Sequence, residues 1–492
     1  MPGLNSSLNI GLSGLEVAQA ALNVVGHNIA NVNTPDYSRQ RAIITASDSQ
    51  NFGNLQFGAG VTLTNVQGIR NRFLDLQITQ ATSRQSGAET RYNGLEAIAS
   101  AFQDDGTSGL NTLVQNFFNG FNKLASTPED GSARNNLIGQ AQSLVNGMQS
   151  RYEMLENQRK QADGSLSGIV EQINSLTKQI AQLNDRIATE PLPGSDNDAR
   201  DQRQTLAKDL ASLVGVQVFE DDKGRMQISL DSGAAVLVNG NTAYKMSLAP
   251  STIAGNYQNV QVAQGSGAMV DITTKVNEGQ LGAYLDLRDD VLPGYERKLD
   301  ELAAGIASQV NTIHNAGFAL NGTTGRDFFL GAVANGANGL PTTVTAVSNY
   351  KGMVNSLKVN SVLATDPSLI AAAGVAGAAG NNSVALRLAA LQQATGTVDT
   401  NGDGTGDSGP YSTMISSLAN RVGTDAQGFG VTSTNQDNLL SALSTQRDRA
   451  SAVDLDEEAT SLITFQRGYQ AAARFISVID TLTDQLVNQF GR

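Results

Sequence analysis

Few residues of this 492-residue sequence have the types and spacing that chemistry requires. It contains two histidines, His27 and His314, and no cysteine, which excludes disulfides, thiolate metal sites and cysteine nucleophiles. His27 lies inside an apolar helical pattern, where a lone histidine is more often a packed side chain than a ligand or a base. The adjacent acids Asp289 and Asp290 give no acid–base geometry, because neighbours along a helix do not face each other. Since HExxH, Walker A and GxSxG patterns are also absent, the sequence predicts no catalytic residue and no enzyme.

One short stretch has the spacing of a cation site. Residues 399–404, with the sequence DTNGDG, match the opening of an EF-hand calcium loop, and Asp407 occupies the ninth position. Pro410 stands at the twelfth position, where the bidentate glutamate belongs, and no pair of flanking helices is evident. We therefore predict a solvated loop, with no metal and no cofactor. A secreted calcium-dependent adhesin or binding module remains an alternative.

Composition and charge exclude several kinds of partner. The hydrophobic content of 40% can support the cores of roughly two to four domains. The formal net charge is -13 and no cluster of Lys and Arg stands out, so we expect no nucleic-acid partner and no anionic membrane surface. The N-terminus lacks the three regions of a cleaved signal peptide. No run of about 18 consecutive apolar residues predicts a membrane-spanning helix.

The first segment is a strongly patterned helix. Its heptad positions a and d form an apolar seam, which comprises Leu8, Leu15, Leu22 and Ile29 at a, and Leu4, Gly11, Ala18 and Val25 at d. A further row (Ile10, Val17, Val24) lies on another face, so the helix needs more than one neighbour to bury it. Asn31 and Pro35 predict the end of the helix.

The last segment mirrors the first. Ser451, followed by Asp454 three residues later, predicts a capping box at a helix start. The seam then comprises Leu462, Tyr469, Ile476, Thr483 and Phe490 at a, and Phe465, Ala472, Ile479 and Leu486 at d. The two helices are expected to pair, which would bring the chain termini together.

The sequence between them changes period twice. Residues 69–189 are predicted to be mostly helical, and an unbroken alternation from Ile169 to Ile187 marks a long stalk helix. Period-two alternation at 216–248, with turns at Asp222–Gly224 and Asn239–Gly240, predicts an antiparallel meander. Helical patterns return at 276–316 and 411–450.

These patterns predict an α+β multidomain protein with terminal coiled-coil helices, a long helical rod domain and inserted antiparallel β domains. The predicted segments are 1–47 (N-terminal helix and turn of the coiled-coil terminal domain), 48–212 (helical rod domain, first part), 213–275 (inserted β-rich outer domain), 276–319 (helical return segment), 320–360 (small irregular or β outer region), 361–450 (helical rod domain, second part) and 451–492 (C-terminal helix of the terminal domain).

Residues 8–41, LNIGLSGLEVAQAALNVVGHNIANVNTPDYSRQR, resemble the N-terminal signature of the flagellar rod, hook and hook-associated axial proteins. The signature turn would comprise Asn28, Asn31, Thr34, Pro35, Tyr37, Ser38, Arg39 and Gln40. Residues 457–490 resemble the matching C-terminal signature. Internal stretches at 170–185, 199–218, 314–329 and 366–374 are most similar to the hook-associated members at the junction between hook and filament. The resemblance thus covers most of the chain.

The resemblance implies a structural subunit of the flagellar hook–filament junction. Implied partners are further copies in a ring-like homo-oligomer, the hook protein, a second junction protein, and the flagellar export apparatus with its chaperone. It also implies type III secretion without signal cleavage, and terminal helices that are poorly ordered in the monomer and fold together on assembly. The assembly interface would comprise Leu4, Leu8, Leu15, Leu22, Val25, Ile29, Leu462, Phe465, Tyr469, Ile476, Ile479 and Leu486.

Two positions depart from the family pattern. Asp36 stands where these proteins usually have glycine, so we expect that the backbone there does not need the conformation that glycine permits. The stretch Gln466–Gly468 is closer to the style of hook proteins. A flagellar hook subunit or another junction subunit therefore remains an alternative.

Overall fold

The structure is a computed structural model, and it describes residues 2–490 except 53–54, 105, 191–195, 252–256, 266, 332–350, 395 and 399–406. The proposed opening of the calcium loop therefore lies outside the described residues, as does nearly half of the predicted irregular region. The predicted α+β class is confirmed, with long terminal helices and several small antiparallel sheets inserted between them.

Twelve α-helices lie in the described part of the chain. They are α1 (Pro2–Ala30), α2 (Arg72–Phe102), α3 (Leu110–Ser126), α4 (Gly131–Ala188), α5 (Asn197–Leu213), α6 (Gly279–Asp286), α7 (Leu292–Asn315), α8 (Met353–Ser356), α9 (Ser361–Thr365), α10 (Ser383–Ala390), α11 (Tyr411–Ser451) and α12 (Leu455–Phe490). A π-helical turn, Leu287–Val291, joins α6 to α7. The predicted stalk helix is α4, which has 58 residues.

The described strands form small antiparallel sheets. They are β1 (Gln40–Ala46), β2 (Gln50–Phe52), β3 (Leu55–Phe57), β4 (Val61–Gly68), β5 (Val216–Glu220), β6 (Met226–Leu230), β7 (Val236–Asn239), β8 (Thr242–Ala243), β9 (Met246–Pro250), β10 (Gln258–Gln264), β11 (Ala268–Asp271), β12 (Phe329–Leu330), β13 (Lys358–Val359), β14 (Gly396–Val398) and β15 (Asp407–Gly409). The predicted meander is the sheet β5–β6–β7–β8, and β9, β10 and β11 form a second sheet. Gly224 and Gly240 have positive φ at the two predicted turns.

The sequence analysis did not predict the β-ribbon that follows α1. β1 and β4 pair antiparallel from Gln40–Gly68 to Ala46–Val61, with an irregularity between Ile43 and Ile44. This stretch was assigned to the terminal turn and the helical rod. In its β4 half, VTLTNVQG, apolar and polar residues alternate from Val61 to Thr64, which is the signal that could have found it.

The start of α12 also differs from the prediction. Ser451 is the last residue of α11, and its backbone oxygen accepts a hydrogen bond from Arg39 N at 2.8 Å. Asp454 caps α12 instead, because its Oδ1 accepts from Asp456 N at 2.9 Å and from Glu457 N at 3.3 Å. The predicted capping box was therefore displaced by three residues, since aspartate caps a helix as well as serine does.

The chain divides into two compact units. Unit 1 comprises 1–86, 168–281 and 434–492, and unit 2 comprises 87–167 and 282–433. The core of unit 2 is an aromatic cluster in which Phe117, Phe118 and Phe121 of α3 are fully buried. The Phe117 ring centroid lies 5.8 Å from that of Phe328 and 5.4 Å from that of Phe329, which is the spacing of favourable ring pairs.

In unit 1, helix asparagines bind the backbone of strand residues. Asn184 of α4 accepts from Met226 N at 2.8 Å and donates to Met226 O and Gly240 O, both at 2.7 Å. Asn174, on the same helix, accepts from Met246 N and donates to Met246 O, both at 2.8 Å. A side-chain amide has one acceptor and two donors, so it can replace a neighbouring strand and satisfy a buried backbone edge.

We predict that Asn184→Ala lowers the free energy of unfolding by about 3 kcal/mol, because it leaves buried backbone groups of Met226 and Gly240 without partners. The measurement is urea unfolding followed by circular dichroism. The matched control is Asn135→Ala on the same helix, where the exposed amide bonds only Gly131 O and should cost under about 0.5 kcal/mol. Equal losses in the two variants would contradict the role of Asn184.

We predict that His314 makes the stability of unit 2 depend on pH. Its Nδ1 contacts Arg326 O, its Nε2 accepts from Ala371 N at 2.9 Å, and burial lowers its pKa from 6.5 to about 4. A folded pKa below the unfolded pKa means that the contribution to stability is complete above pH 6.5 and is lost as the pH falls towards 4.

The stability advantage of the wild type over His314→Gln should therefore shrink by about 2 kcal/mol between pH 8 and pH 5, at about 1.4 kcal/mol per pKa unit. Urea unfolding of both proteins at the two pH values measures it. Groups that titrate alike in both proteins cancel in this difference. A pH-independent difference would show that the unfolded and folded states bind this proton equally.

Candidate assembly interface

The two terminal helices pair antiparallel within unit 1. A Cβ placed on Gly14 of α1 would lie 3.7 Å from Cβ of Ala472 in α12. At the other end of α1, Asn28 Nδ2 donates to Glu458 Oε2 at 3.2 Å. Residue numbers therefore rise along α1 as they fall along α12.

Small residues allow the two helices to approach closely. A Cβ on Gly11 would come within 2.8 Å of Ile476 Cγ1, which is closer than real Cβ contacts, and it would lie 3.0 Å from Phe475 Cδ1. Ala18 and Ala21 are buried on the same side of α1. The distance between packed helices depends on the side chains at the contact, so this series of small residues sets a short distance and fixes the register.

Three of the four d positions of α1 are buried as in a coiled-coil seam, whereas Leu4 at d and the a positions are less covered. Gly11, Ala18 and Val25 are buried, and Leu4, Leu15 and Leu22 are half-buried. Leu8 remains 40% exposed and Ile29 36%. One partner helix and the β-ribbon thus cover one stripe of α1 and leave a row of large side chains beside it. Whether this row is an interface stays a prediction.

Most of α12 is open on the faces that α1 does not cover. Of the predicted residues, Ile479 is buried, Leu462 is exposed, and Phe465, Tyr469, Ile476 and Leu486 are half-buried. A second apolar row, Phe475, Val478 and Leu482, is 42%, 57% and 45% exposed. Phe475 and Leu482 occupy heptad position g, which flanks the seam, and Val478 occupies position c, one row further out. The sequence patterns did not single out these residues.

Asn28 organises the signature turn. Its side chain is 1% exposed, and its Oδ1 accepts from Tyr37 Oη and from Gln40 N, both at 2.9 Å. Its Nδ2 donates to Gln40 O at 2.9 Å and to Glu458 Oε2. One amide therefore joins α1, the turn, the first residue of the ribbon and α12. Burial and nearby carboxylates, Asp198 first among them, raise the pKa of Tyr37, so its hydroxyl stays a donor at neutral pH.

Arg39 connects the turn to the start of α12. Its Nε donates to Glu458 Oε1 at 2.6 Å, and its guanidinium also contacts Glu457. Glu458 is almost fully buried, and each of its carboxylate oxygens accepts a hydrogen bond, Oε1 from Arg39 and Oε2 from Asn28. The negative charges also lie in the first turn of α12, where the helix dipole favours them.

Ser38 connects the turn to α5. Its backbone N donates to Asp201 Oδ2 at 2.9 Å, and Arg70 Nη2 lies 2.7 Å from Asp201 Oδ1. Burial raises the pKa of Asp201, and Arg70 opposes that shift. Gln40 reaches the same helix, since its Nε2 donates to Asp198 Oδ1 at 2.8 Å.

The remaining turn residues shape the end of α1. Asn31 Nδ2 donates to His27 O at 3.0 Å, and Thr34 Oγ1 donates to Asn31 Oδ1 at 3.1 Å. Thr34 and Pro35 are exposed. These local bonds satisfy the last carbonyls of the helix and stop it at Ala30, where the sequence predicted.

The expectation for Asp36 was wrong. Its φ is 60°, and among the described residues it is the one non-glycine with positive φ. The backbone thus does adopt the left-handed conformation that favours glycine. Aspartate tolerates it better than most residues, because its short polar side chain crowds the backbone less and can bond locally.

His27 has contacts that a structural residue would make. Its Nδ1 lies 3.0 Å from Tyr37 Oη, and its Nε2 lies 3.6 Å from Asp198 Oδ2. Among the residues that the structure describes, no group of three or more His, Asp or Glu could hold a metal ion.

By length and composition alone, residues 4–30 of α1 are long and apolar enough to cross a membrane, with a mean hydropathy of 1.2. No run of 18 apolar residues is needed for this, because Leu, Ile, Val and Ala raise the average and Glu16 is the one charged residue there. Helices that pack inside proteins pass the same test, and α1 packs against α12 through Gly11 and Gly14.

Three family models match parts of this chain. "Flagellar hook-associated protein FlgK helical domain" matches residues 95–329, "Flagella basal body rod protein" matches 8–37, and "Flagellar basal body rod FlgEFG protein C-terminal" matches 445–489. The last two cover the two helices paired here.

Relatives extend over nearly the full length. Flagellar hook-associated protein 1 of Escherichia coli (strain K12) is 30% identical, and the alignment covers 99% of this chain and 100% of the relative. The protein of that name from Bacillus subtilis (strain 168) is 28% identical over 97% and 96%. The solved flagellar hook junction protein FlgK from Burkholderia pseudomallei has the same fold, with a TM-score of 0.65 and 17% identity, over 76% of this chain and 99% of that one.

The geometry predicts a specific cross-link. In Gly14→Cys/Ala472→Cys, the Cβ atoms would lie 3.7 Å apart, within the range of about 3.5–4.5 Å for disulfides. Because the natural chain has no cysteine, the introduced thiols are the only ones present. We expect an intramolecular disulfide in dilute monomer, measured by non-reducing electrophoresis and thiol titration.

The control is Gly26→Cys/Ala472→Cys, since a Cβ at Gly26 has no neighbour within 4 Å. It should stay reduced under the same oxidant. Equal oxidation of both pairs, or a disulfide formed mainly between chains, would contradict the pairing of α1 with α12 of the same copy.

Proposed function

The chain belongs to the flagellar hook-associated protein 1 family and is a structural subunit of the bacterial flagellum at the hook–filament junction; from this premise we propose that copies assemble through the paired terminal helices. The observation that carries the proposal is the second apolar row of α12. Phe475, Val478 and Leu482 are large and 42–57% exposed, although the Phe475 ring also lies against Gly11 of α1. A neighbouring copy would bury them.

Burial of these partly exposed apolar side chains would favour association. Burying a large apolar side chain contributes roughly 1.5–3 kcal/mol, and the row on α12 is accompanied by Leu8 and Leu12 on α1, which are 40% and 47% exposed. The predicted residues Leu4, Leu15, Leu22 and Leu486 are half-buried, and Leu462 is exposed. They would complete the contact between copies in a ring-like oligomer.

The individual partner proteins that we propose depend on the position of the subunit at the junction. We propose contacts with the hook protein on one side and with a second junction protein on the other. Delivery through the flagellar export apparatus, with a chaperone and without signal cleavage, would place the protein outside the cell. The absence of cysteine supports this, since a chain that is threaded unfolded gains from having no thiols to cross-link.

The alternatives receive no specific support. The two rod-type models match the terminal segments, which a hook subunit would share, whereas the full-length relatives are hook-associated proteins. The adhesin alternative depends on a loop whose first eight residues lie outside the described part of the chain.

We predict that Val478→Glu reduces filament attachment at least tenfold, because a charge on the open apolar row cannot be buried between copies without a large desolvation cost. The assay counts filaments on cells of the source strain that have hooks, lack their own copy and express the variant. Since Val478 is 57% exposed, the isolated variant should unfold within about 0.5 kcal/mol of the wild type.

The control is Thr481→Glu, one turn away on the polar face of α12, where the side chain bonds Ser477 O and is exposed. It should attach filaments normally. If Val478→Glu attached filaments as well as Thr481→Glu, the second row of α12 would not be an interface between subunits.

A further inference from the structure

The left-handed residue in the signature turn is held by two cations from different helices. Asp36 Oδ2 lies 2.6 Å from Lys208 Nζ of α5, and its Oδ1 lies 3.3 Å from Arg447 Nη1 of α11. Both carboxylate oxygens are therefore engaged. The turn at the end of α1 is tied to two helices that are about 170 and 410 residues away in the sequence.

The two ion pairs of Asp36 are sufficiently shielded from water to contribute to stability. The side chains of Asp36, Lys208 and Arg447 are 19%, 33% and 12% exposed. An exposed ion pair contributes little, because water screens it and two long side chains lose freedom. Here two cations share one half-buried anion, and Arg447 is further positioned by Asp75 at 3.9 Å and Asp448 at 3.4 Å.

The same residue carries a backbone cost. A non-glycine residue in the left-handed region is disfavoured by roughly 1–2 kcal/mol, and such conformations persist where their surroundings impose them. Glycine would adopt this φ freely but would bring no charge. Asp36 thus combines a disfavoured backbone conformation with two ion pairs, which is the arrangement expected where the pairs hold the conformation in place.

We propose that Asp36, Lys208 and Arg447 form an ionic clamp that positions the signature turn, and with it α1, on α5 and α11. The clamp rests on the proposed function, because it sets the direction in which the terminal helices leave the rest of unit 1. The direction of the turn in this chain therefore depends on the charges of Asp36, Lys208 and Arg447.

The clamp is tested in the purified protein by a double-mutant cycle with a distance readout. Nitroxide labels on Gly26→Cys in α1 and Gln202→Cys in α5 report the distance distribution between the two helices, and the natural chain has no competing thiol. Gly26 has open space around its Cβ, and Gln202 is exposed. The substitutions are Asp36→Asn, which keeps the size and tolerance of left-handed φ, and Lys208→Gln.

Each single substitution should broaden the distance distribution at least twofold, and the double variant should be no broader than either one. Arg447→Gln should behave as Lys208→Gln does. The control, Lys160→Gln, removes an exposed pair with Glu156 on α4 and should leave the width unchanged. Additive broadening in the double variant, or no broadening in the single variants, overturns the clamp.

The cellular assay separates this proposal from the proposed function. If the clamp positions the terminal helices for assembly, Asp36→Asn and Lys208→Gln should reduce filament attachment at least fivefold, and the double variant no further. Normal attachment in variants with broadened distances overturns the positioning role. If the wild type itself failed to restore filaments, the proposed function would fall, while the cycle in the purified protein would still decide whether the clamp exists.

Discussion

The hydrogen bonding of buried asparagine amides to strand backbone is the interaction on which the rest of unit 1 depends. Asn28 binds the backbone of Gln40 at the root of the ribbon through one edge. Asn197 of α5 binds the other edge, because it accepts from Gly68 N at 3.1 Å and donates to Val66 O at 2.7 Å. The ribbon root is thus held between α1 and α5 as if each helix supplied a strand. Because a buried amide needs partners for both its donor and its acceptor, these bonds fix the orientation of the ribbon relative to each helix as well as their contact.

The turn after α1 connects the helix to several distant segments. Its local bonds at Asn31 and Thr34 end the helix. The contacts that orient the turn come from Glu458 at the start of α12, Asp201 on α5, and the cations around Asp36. Several of these are charged groups with low exposure, where removing one partner costs more than the pair gains. We expect that the loss of any one of these contacts shifts the backbone at Gln40, the first residue of the ribbon.

The sequence predicted what is local and periodic. The long C-terminal helix, the end of α1 and the turns at Gly224 and Gly240 follow from spacing and from backbone preference, and the structure has them. It did not predict Glu458 as the partner of Asn28, 430 residues away, because no periodicity relates the two. Asp36 was misjudged for a related reason: its identity argued against a left-handed backbone, and the two cations that accompany that conformation lie on other helices. The row at Phe475 was missed because two neighbouring apolar rows of one helix look alike until a partner covers one of them.

The distribution of side-chain size across the paired helices favours assembly over the isolated pair. The face of α1 against α12 is built from Gly11, Gly14, Ala18 and Ala21, which bury little apolar area, and glycine also weakens the helix itself by roughly 1 kcal/mol. The large side chains of Leu8 and Leu12 on α1 and of Val478 and Leu482 on α12 are exposed, and Phe475 is 42% exposed although its ring also lies against Gly11. Since stabilisation scales with buried apolar area, these helices would gain more from neighbouring copies than from each other. In the proposed assembly, the close contact through small residues would set the register, and burial of the outer rows would stabilise both helices.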